Sequence, residues 1–380
     1  MKKEMVLSNA KVVLPAQVIS GTVSFSDGTI TAVDEGNTDT GEDMGGDYLI
    51  PGLVELHTDH LESHYNPRPG VTWNSIAAVQ AHDAQIASAG ITTVLDCLRM
   101  GSDSSGGFEV GEMTALAKVM AEAGVAGRLR AEHFLHLRCE VSAPDVMDCY
   151  SGFVDNPSVK LVSMMDHAPG QRQFANLAAY EKHFRSASNM SDNEFKDLVS
   201  SRVAQSEKYA DGHRQQIASD ANSRGITLAS HDDASKAHIT EACLYGVRVA
   251  EFPTTLEAAN EADAVNLKVL MGAPNVVRGL SHSGNIGARA LAADNILHLL
   301  SSDYIPASLL HAAFVLSLQE KLMSLPKAIA LITASPAALI GMDDRGSLRA
   351  GLKADVVRVR YADDGVPTVK AVWREGQRVA

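Results

Sequence analysis

Eight short apolar runs, separated mostly by stretches with helical periodicity, constrain the fold of this sequence more than any other feature. The runs are YLIPGLVELHTD, GITTVLDCL, LRAEHFLHLRCE, VKLVSMMDH, GITLASHDD, GVRVAEFP, LKVLMGAP and NILHLLSSD. Eight strands that alternate with helices and carry polar residues at their carboxyl ends predict a (β/α)₈ barrel, a TIM-like α/β fold. An open doubly wound sheet is the alternative, but no G-x-G-x-x-G run follows an early strand.

The two ends of the chain show strand-like alternation instead. MVLSNAKVVLP and GTVSFSDGTITAVDEG lie near the start, and ADVVRVRY and VKAVWREG lie near the end. We predict that residues 1–50 and 338–380 together form a small β-sandwich domain. Residues 51–337 then form the barrel.

A charged, strand-poor segment at about residues 174–224 interrupts the barrel pattern. Its composition predicts a helical insertion, with two helices joined near the cap-like turn Ser-Asn-Met-Ser-Asp. One interpretation is a solvated decoration of the barrel, and the other is a lid or a subunit contact.

The charge balance argues against two classes of partner. The chain has 33 Lys and Arg residues against 46 Asp and Glu residues, a formal charge of −13. Nucleic-acid binding without sequence preference needs a basic surface, and an anionic membrane would be repelled, so we predict neither partner. Four cysteines without a CxxC pair, and no apolar run of membrane-spanning length, predict a cytoplasmic protein with reduced thiols. A homo-oligomer is left open.

The residues at the predicted strand ends are of the types that bind divalent metals. Imidazoles and carboxylates recur at these ends: His57, Asp59, Asp96, Glu140, Asp166, His167, His231, Asp232, Asp233, Glu251 and Asp303. His57 and Asp59 are two residues apart, so in a strand both side chains leave the same face. Because barrel strands present their carboxyl ends to one opening, these residues predict a metal site there.

Several motifs resemble the amidohydrolase superfamily. PGLVELHTD, the histidines after late strands, SSD and the closing run GSLRAGLKADVV are similar to its pattern along the whole chain. HTDHLESHYNPRP, RAEHFLHLRCE, SMMDHAPGQRQF and LMGAPNVVRGLSHSGN resemble the phosphonate-degradation branch of that superfamily. The resemblance implies a metal-dependent hydrolase that releases pyrophosphate from a phosphorylated ribose substrate, ribose 1-methylphosphonate 5-triphosphate.

The resemblance also implies a set of ligands for two divalent ions, with Asp303 as the general base. The expected ligands are His57, Asp59, Glu140, His167, His231 and Asp303. The superfamily's usual His-x-His is replaced here by His57-Thr58-Asp59, and Glu140 is preferred as the bridging group over Lys160. Zinc, manganese, iron and nickel all suit such ligands.

A triphosphate in an acidic site requires cationic partners. The candidates are Arg172 in GQRQ, Arg278 and His282 in PNVVRGLSHSGN, and Arg68 in NPRP. Asp232 and Asp233 follow the His231 strand and would either orient metal-bound imidazoles or cap a helix.

Two rival functions remain at this point. An amidohydrolase that cleaves a cyclic amide or an N-acyl group would need little positive charge, so the arginine-bearing loops favour the triphosphate. A non-catalytic barrel that serves as a scaffold would be expected to lack metal ligands, whereas the strand ends here carry them.

Overall fold

The computed structural model describes residues 4–102, 110–174, 180–181, 190–281 and 284–380. The strands of this part of the chain form two separate sheets. One comes from both chain ends: β1 (Met5–Val13), β2 (Val18–Ser26), β3 (Thr29–Glu35), β4 (Glu42–Asp43), β5 (Tyr48–Pro51), β14 (Val356–Tyr361), β15 (Pro367–Arg374) and β16 (Gln377–Arg378). The other comes from the middle: β6 (Leu53–Thr58), β7 (Ile91–Met100), β8 (Glu132–Glu140), β9 (Val159–Met165), β10 (Thr227–His231), β11 (Val249–Glu251), β12 (Lys268–Gly272) and β13 (Leu299–Ser301).

The middle sheet is a parallel barrel. Its strands pair in chain order from β6 to β13, and a parallel bridge between Thr58 and Asp303 joins the last strand's end to the first. This closure confirms the predicted (β/α)₈ barrel and excludes the open doubly wound sheet. Buried aliphatic side chains fill the interior: Val54, Leu56, Leu95, Leu161, Ala229, Val249, Leu270 and Leu299.

Helices follow most of the barrel strands, as the periodicity predicts. They are α1 (His60–Tyr65), α2 (Ser75–Ser88), α3 (Val110–Val125), α4 (Val146–Ser151), α5 (Asp192–Ser223), α6 (Lys236–Leu244), α7 (Leu256–Ala264), α8 (Ala273–Arg278), α9 (Ala288–Ala293), α10 (Ser308–Phe314), α11 (Leu325–Ala330) and α12 (Ala334–Leu339). A short 3₁₀ turn spans Arg172–Phe174, and a π-helical turn spans Val315–Gln319.

The sheet made from the chain ends curls back on itself. Its order is β16-β15-β14-β5-β1-β2-β3, so three strands separate β15 from β2. Nevertheless the rings of Trp373 on β15 and Phe25 on β2 meet edge to face, with centroids 6.4 Å apart. The curled sheet therefore encloses its own apolar core, as a sandwich does.

The predicted insertion contains one long helix in its described part. Ser191 caps α5: its hydroxyl accepts from the Glu194 N–H, and the Glu194 side chain accepts from the Ser191 N–H. The helix expected before this turn falls mainly on residues outside the described part of the chain. α5 has 32 residues but a polar composition, and among the described residues no helix is suited to crossing a membrane.

The four cysteines carry free thiols in the structure. Cys97, Cys139 and Cys149 are buried, and Cys243 is exposed. Burial raises the pKa of Cys97 to about 12, so this thiol stays protonated inside the barrel.

A buried ionic network lies on the outer face of β7. The residues on either side of Asp96 face the barrel interior, so Asp96 points outward toward α2. Its carboxylate oxygens lie 2.7 Å from His82 Nε2 and 2.7 Å from His133 Nδ1. Burial opposes a charge on His133, but Asp96 and Asp83 outweigh it and raise the pKa of His133 to about 9.

This shift predicts a pH-dependent contribution to stability. Because the folded-state pKa of His133 exceeds its ordinary value of 6.5, the contribution is complete below pH 6.5 and is lost as the pH rises through about 9. The stability advantage of the wild type over His133→Gln should therefore shrink by on the order of 3 kcal/mol across this range. Urea unfolding in the presence of a chelator measures the difference.

His311→Gln is the matched control, because burial lowers the pKa of His311 and gives no stabilising charge to lose at high pH. A difference between wild type and His133→Gln that stays constant with pH would contradict the assigned ion pair.

Candidate metal centre

Three histidines at the mouth of the barrel are held by buried carboxylates through one ring nitrogen. Glu251 uses both oxygens, one 2.7 Å from His57 Nδ1 and the other 2.6 Å from His231 Nδ1. Glu140 holds His167 in the same way, with Oε2 2.7 Å from Nδ1. When neutral, each imidazole then carries its proton on Nδ1 and presents the Nε2 lone pair to the opening, which is the form that binds a metal.

The donors at the opening form two adjoining groups, and the ligand atoms in each group lie within 4.8 Å of one another. The first group is His57, Asp59 and Asp303, and the second is His167, His231 and Asp232. The parallel rings of His57 and His231, with centroids 6.0 Å apart, connect the two groups.

The second group contains a polar atom that the protein does not satisfy. Asp232 Oδ2 is buried and has no hydrogen-bond partner among the described residues, although it lies 3.4 Å from His231 Nε2 and 3.8 Å from His167 Nε2. A buried carboxylate oxygen without a partner is costly, and a cation between these atoms would satisfy it. The residues present therefore fit a divalent metal.

Sharp backbone turns direct the carboxylates of Asp232 and Asp303 toward the barrel mouth. Asp232 and Asp303 both adopt left-handed backbone conformations, with φ of 55° and 57°, one residue beyond the end of β10 and two residues beyond the end of β13. Such conformations are uncommon for residues other than glycine and cost about 1 kcal/mol or more. Backbone hydrogen bonds hold the turns: Asp232 N–H donates to the Glu251 carbonyl, and Asp303 N–H donates to the His57 carbonyl.

The pKa values of the two carboxylates in the first group are shifted in opposite directions. Burial raises the pKa of Asp303, so this residue accepts a proton more readily than an ordinary aspartate. Burial also opposes the ionisation of Asp59, but Arg138 and His57 outweigh it and hold the pKa of Asp59 well below its usual range. Arg138 Nη1 donates to both oxygens of Asp59, at 2.8 and 2.6 Å. Asp303 is therefore the better proton acceptor.

A cavity of about 330 Å³ opens above the two groups. Three arginines line it: Arg99 from β7, Arg138 from β8 and Arg278 from the end of α8. Apolar side chains that include Phe252 and Met271 form other parts of its wall. The cavity thus combines metal-ligand groups with cationic side chains, an arrangement suited to an anionic substrate.

Comparison with known proteins places this arrangement in a family. Residues 77–380, most of the chain, match the amidohydrolase family. The chain belongs to this family. It is 41% identical over 378 residues to a protein of Escherichia coli (strain K12) named alpha-D-ribose 1-methylphosphonate 5-triphosphate diphosphatase, with 99% of this chain and 100% of that protein covered.

Solved structures support the same fold for this amidohydrolase. An N-acetyl-D-glucosamine-6-phosphate deacetylase mutant from Mycobacterium smegmatis matches 100% of both chains at 15% identity, with a TM-score of 0.62. A dihydropyrimidinase from Brevibacillus agri matches 99% of this chain and 95% of its own at 14% identity, with a TM-score of 0.56. At these identities the likeness concerns the fold alone.

The structure revises the two candidates for the bridging ligand of this amidohydrolase. Glu140 lies behind His167: its oxygens accept from His167 Nδ1, from the His167 N–H at 3.1 Å and from the Ser142 hydroxyl at 2.6 Å. This geometry does not support a bridging role, which needs an oxygen free for each ion. Lys160 is wrong as the alternative, because it lies at the amino end of β9 with Nζ 5.6 Å from the Phe134 ring centroid.

The structure places the predicted anion-binding residues in different surroundings. Arg278 lines the cavity, whereas buried Arg172 forms ion pairs with Asp233 and with Glu241, the latter at 2.7 Å. Arg172 and Asp233 therefore neutralise each other away from the cavity. Arg68 is exposed in the loop after α1 and does not line the cavity, and His282 lies outside the described residues.

The sequence patterns assign no role to three residues of the candidate site in this amidohydrolase. Glu251 was recognised as a strand-end carboxylate but received no role, since its partners His57 and His231 come from distant strands. Arg138 and Arg99 were not proposed. The alternation of β8 places Arg138 on the same face as Glu140, and Arg99 is its partner in the register with β7, so strand parity was the available signal.

Glu251→Gln should weaken metal binding on the order of 10- to 100-fold, as expected when a group that orients metal-binding histidines is removed. The Gln amide has one oxygen to accept from Nδ1–H, so it cannot hold both rings in the required tautomer. Competition with a chromophoric chelator measures the affinity.

Glu140→Gln is the comparison variant, because Glu140 orients only one ring, and its effect should be smaller. If Glu251→Gln keeps wild-type affinity in a folded protein, the proposed orientation of His57 and His231 is wrong.

Proposed function

We propose that this chain hydrolyses α-D-ribose 1-methylphosphonate 5-triphosphate to α-D-ribose 1-methylphosphonate 5-phosphate and pyrophosphate. The full-length 41% identity to the named diphosphatase carries the proposal. It spans both the barrel and the sheet made from the chain ends, and therefore every residue of the described site. A cavity that combines ligands for cations with three arginines agrees with a triphosphate substrate.

Two ions are expected, one in each donor group. His57, Asp59 and Asp303 would hold one, and His167, His231 and Asp232 would hold the other. This set replaces Glu140 of the sequence-based prediction by Asp232, whose Oδ2 has no protein partner among the described residues. When bound, divalent ions of zinc, manganese, iron or nickel supply Lewis acidity, which polarises a phosphoryl oxygen and lowers the pKa of water.

Asp303 is assigned the proton transfer. A water molecule attacks the α-phosphorus, the bond from this phosphorus to the bridging oxygen of the β-phosphate breaks, and pyrophosphate leaves with the bond's electron pair. Asp303 accepts the proton of the attacking water and later releases it to a product oxygen or to solvent. Its burial and raised pKa suit this role, because a general base works best when its pKa is closer to the working pH.

Arginines from different walls are assigned to the phosphates. Arg278 ends α8, and Arg138 and Arg99 project from neighbouring strands on the other side of the donors. Arg138 is held by Asp59, and its Nε is buried without a hydrogen-bond partner. Guanidinium groups placed around the cavity balance the phosphate charge and fix the orientation of the substrate's triphosphate for in-line displacement.

The rival functions fit the site less well. Cleavage of a cyclic amide or an N-acyl group gives no role to three arginines around one cavity. A non-catalytic scaffold gives no reason for His167 and His231 to be oriented by buried carboxylates toward an Asp232 oxygen that has no hydrogen-bond partner among the described residues. Both features follow directly from a metal-dependent hydrolase of a triphosphate.

Asp303→Asn should lower kcat for pyrophosphate release by on the order of 10²- to 10⁴-fold, because the amide cannot accept the proton. A coupled pyrophosphate assay measures the rate, and circular dichroism checks the fold. Asp363→Asn, at an exposed position remote from the barrel mouth, serves as the control and should keep wild-type turnover. Undiminished turnover of Asp303→Asn would remove this residue from the reaction.

Arg278→Ala should raise KM for the triphosphate by on the order of 10- to 100-fold, the loss expected for one charge-assisted contact to phosphate. The same substitution at exposed Arg68 should leave KM unchanged, because Arg68 does not line the cavity. Steady-state kinetics on the two variants distinguish a phosphate ligand from a general effect of surface charge. Equal KM values for both variants would exclude Arg278 from substrate binding.

A further inference from the structure

A second cluster of histidines lies outside the cavity, between α1 and α2. His60 and His64 are four residues apart in α1, so their rings lie on one face of the helix, with centroids 4.8 Å apart. His82 of α2 faces them, with its ring centroid 5.6 Å from that of His60 and 6.2 Å from that of His64. The facing nitrogen atoms of the three rings lie within 4.8 Å of one another.

The orientation of His82 is fixed by the ionic network on β7. Its Nε2 lies 2.7 Å from Asp96 Oδ1, so Nε2 carries the proton and Nδ1 faces the other two rings. His82 Nδ1 is 3.4 Å from His60 Nδ1. Tetrahedral zinc with Zn–N bonds of about 2.0–2.1 Å places its ligand nitrogens about 3.4 Å apart, so this pair already has the required separation. Asp96 orients His82 in the way that a carboxylate commonly orients a metal-binding histidine.

His64 supplies an independent indication of a ligand. Its Nε2 is buried and has no hydrogen-bond partner among the described residues. A direct hydrogen bond between His60 and His82 explains the close approach of those two rings alone. It leaves the His64 nitrogen unexplained, whereas a cation shared by three imidazoles accounts for all three.

The cluster is separate from the metal centre in the barrel. Asp96, which holds His82, points away from the barrel interior, and none of the three histidines lines the cavity. The wall formed by β6 and β7 therefore lies between the two locations. The chemistry differs as well, since three imidazoles without a carboxylate ligand favour zinc, nickel or copper over magnesium or calcium.

We propose that His60, His64 and His82 bind a zinc ion that holds a water molecule in its fourth coordination position. The ion joins α1 to α2. Since Asp59 occupies the N-cap position immediately before α1, this link also fixes the segment that carries a proposed ligand of the barrel site. The site adds a role beyond the proposed hydrolase function and does not depend on the identity of the substrate.

Zinc titration of the metal-free full-length chain tests the proposal. Equivalents bound are counted by competition with a chromophoric chelator for wild type, His64→Gln and His60→Gln. Each variant should bind one equivalent fewer than wild type, and His311→Gln, a half-buried histidine outside both clusters, should lose none. Two variants are used so that one that fails to fold still leaves the other as a measurement.

Anomalous diffraction at the zinc edge locates the ion in crystals of the wild type. A peak between the three rings is expected, and it should vanish in His64→Gln while any peaks in the barrel remain. Wild-type stoichiometry in His64→Gln or His60→Gln, or a wild-type map without a peak between the rings, would overturn the proposal and leave only a hydrogen-bonded histidine pair. Neither result would alter the assignments in the barrel, which the Asp303 and Arg278 variants test separately.

Discussion

The carboxylate of Glu251 is the interaction on which the rest of the site depends. It lies at the end of β11, is fully buried, and bonds His231 on the neighbouring strand and His57 on β6, across the barrel mouth. Burial opposes its charge, but the two histidines and His136 outweigh this and hold the pKa of Glu251 well below its usual range. Because a buried charge without partners is strongly destabilising, the carboxylate fixes the distance between two rings that belong to different donor groups.

The barrel brings the Glu251 carboxylate and its histidine partners together. Parallel strands bring their carboxyl ends to one opening, so residues separated by nearly 200 positions, such as His57 and Glu251, meet at hydrogen-bond distance. The aliphatic side chains below them fill the interior and exclude water from the base of the site. The left-handed turns at Asp232 and Asp303 then direct both carboxylates into the barrel mouth. Strain in these turns is tolerated because backbone hydrogen bonds to adjacent strands hold them.

The sequence predicted the strands and the histidines at the barrel mouth, because both depend on local patterns. Apolar runs mark buried strands, and polar residues that follow them mark the barrel mouth, so the pattern places His57, His167 and His231 there. The partners of side chains could not be found in this way. Arg172 follows a strand and has a glycine beside it, as a phosphate ligand would, but Asp233 and Glu241 from other elements hold it. Which carboxylate meets which cation is decided by tertiary packing.

The two donor groups differ in a way that bears on the metals. One group has a single imidazole with two carboxylates, Asp59 and Asp303, and the other has two imidazoles with the single carboxylate of Asp232. Carboxylate-rich sites suit harder ions such as manganese, whereas imidazole-rich sites suit zinc, iron and nickel. Arg138 reduces the difference in charge between the groups, because it neutralises part of the charge of Asp59 in the first group. The two donor groups therefore differ in their ligand types and offer unequal environments to the ions proposed to bind there.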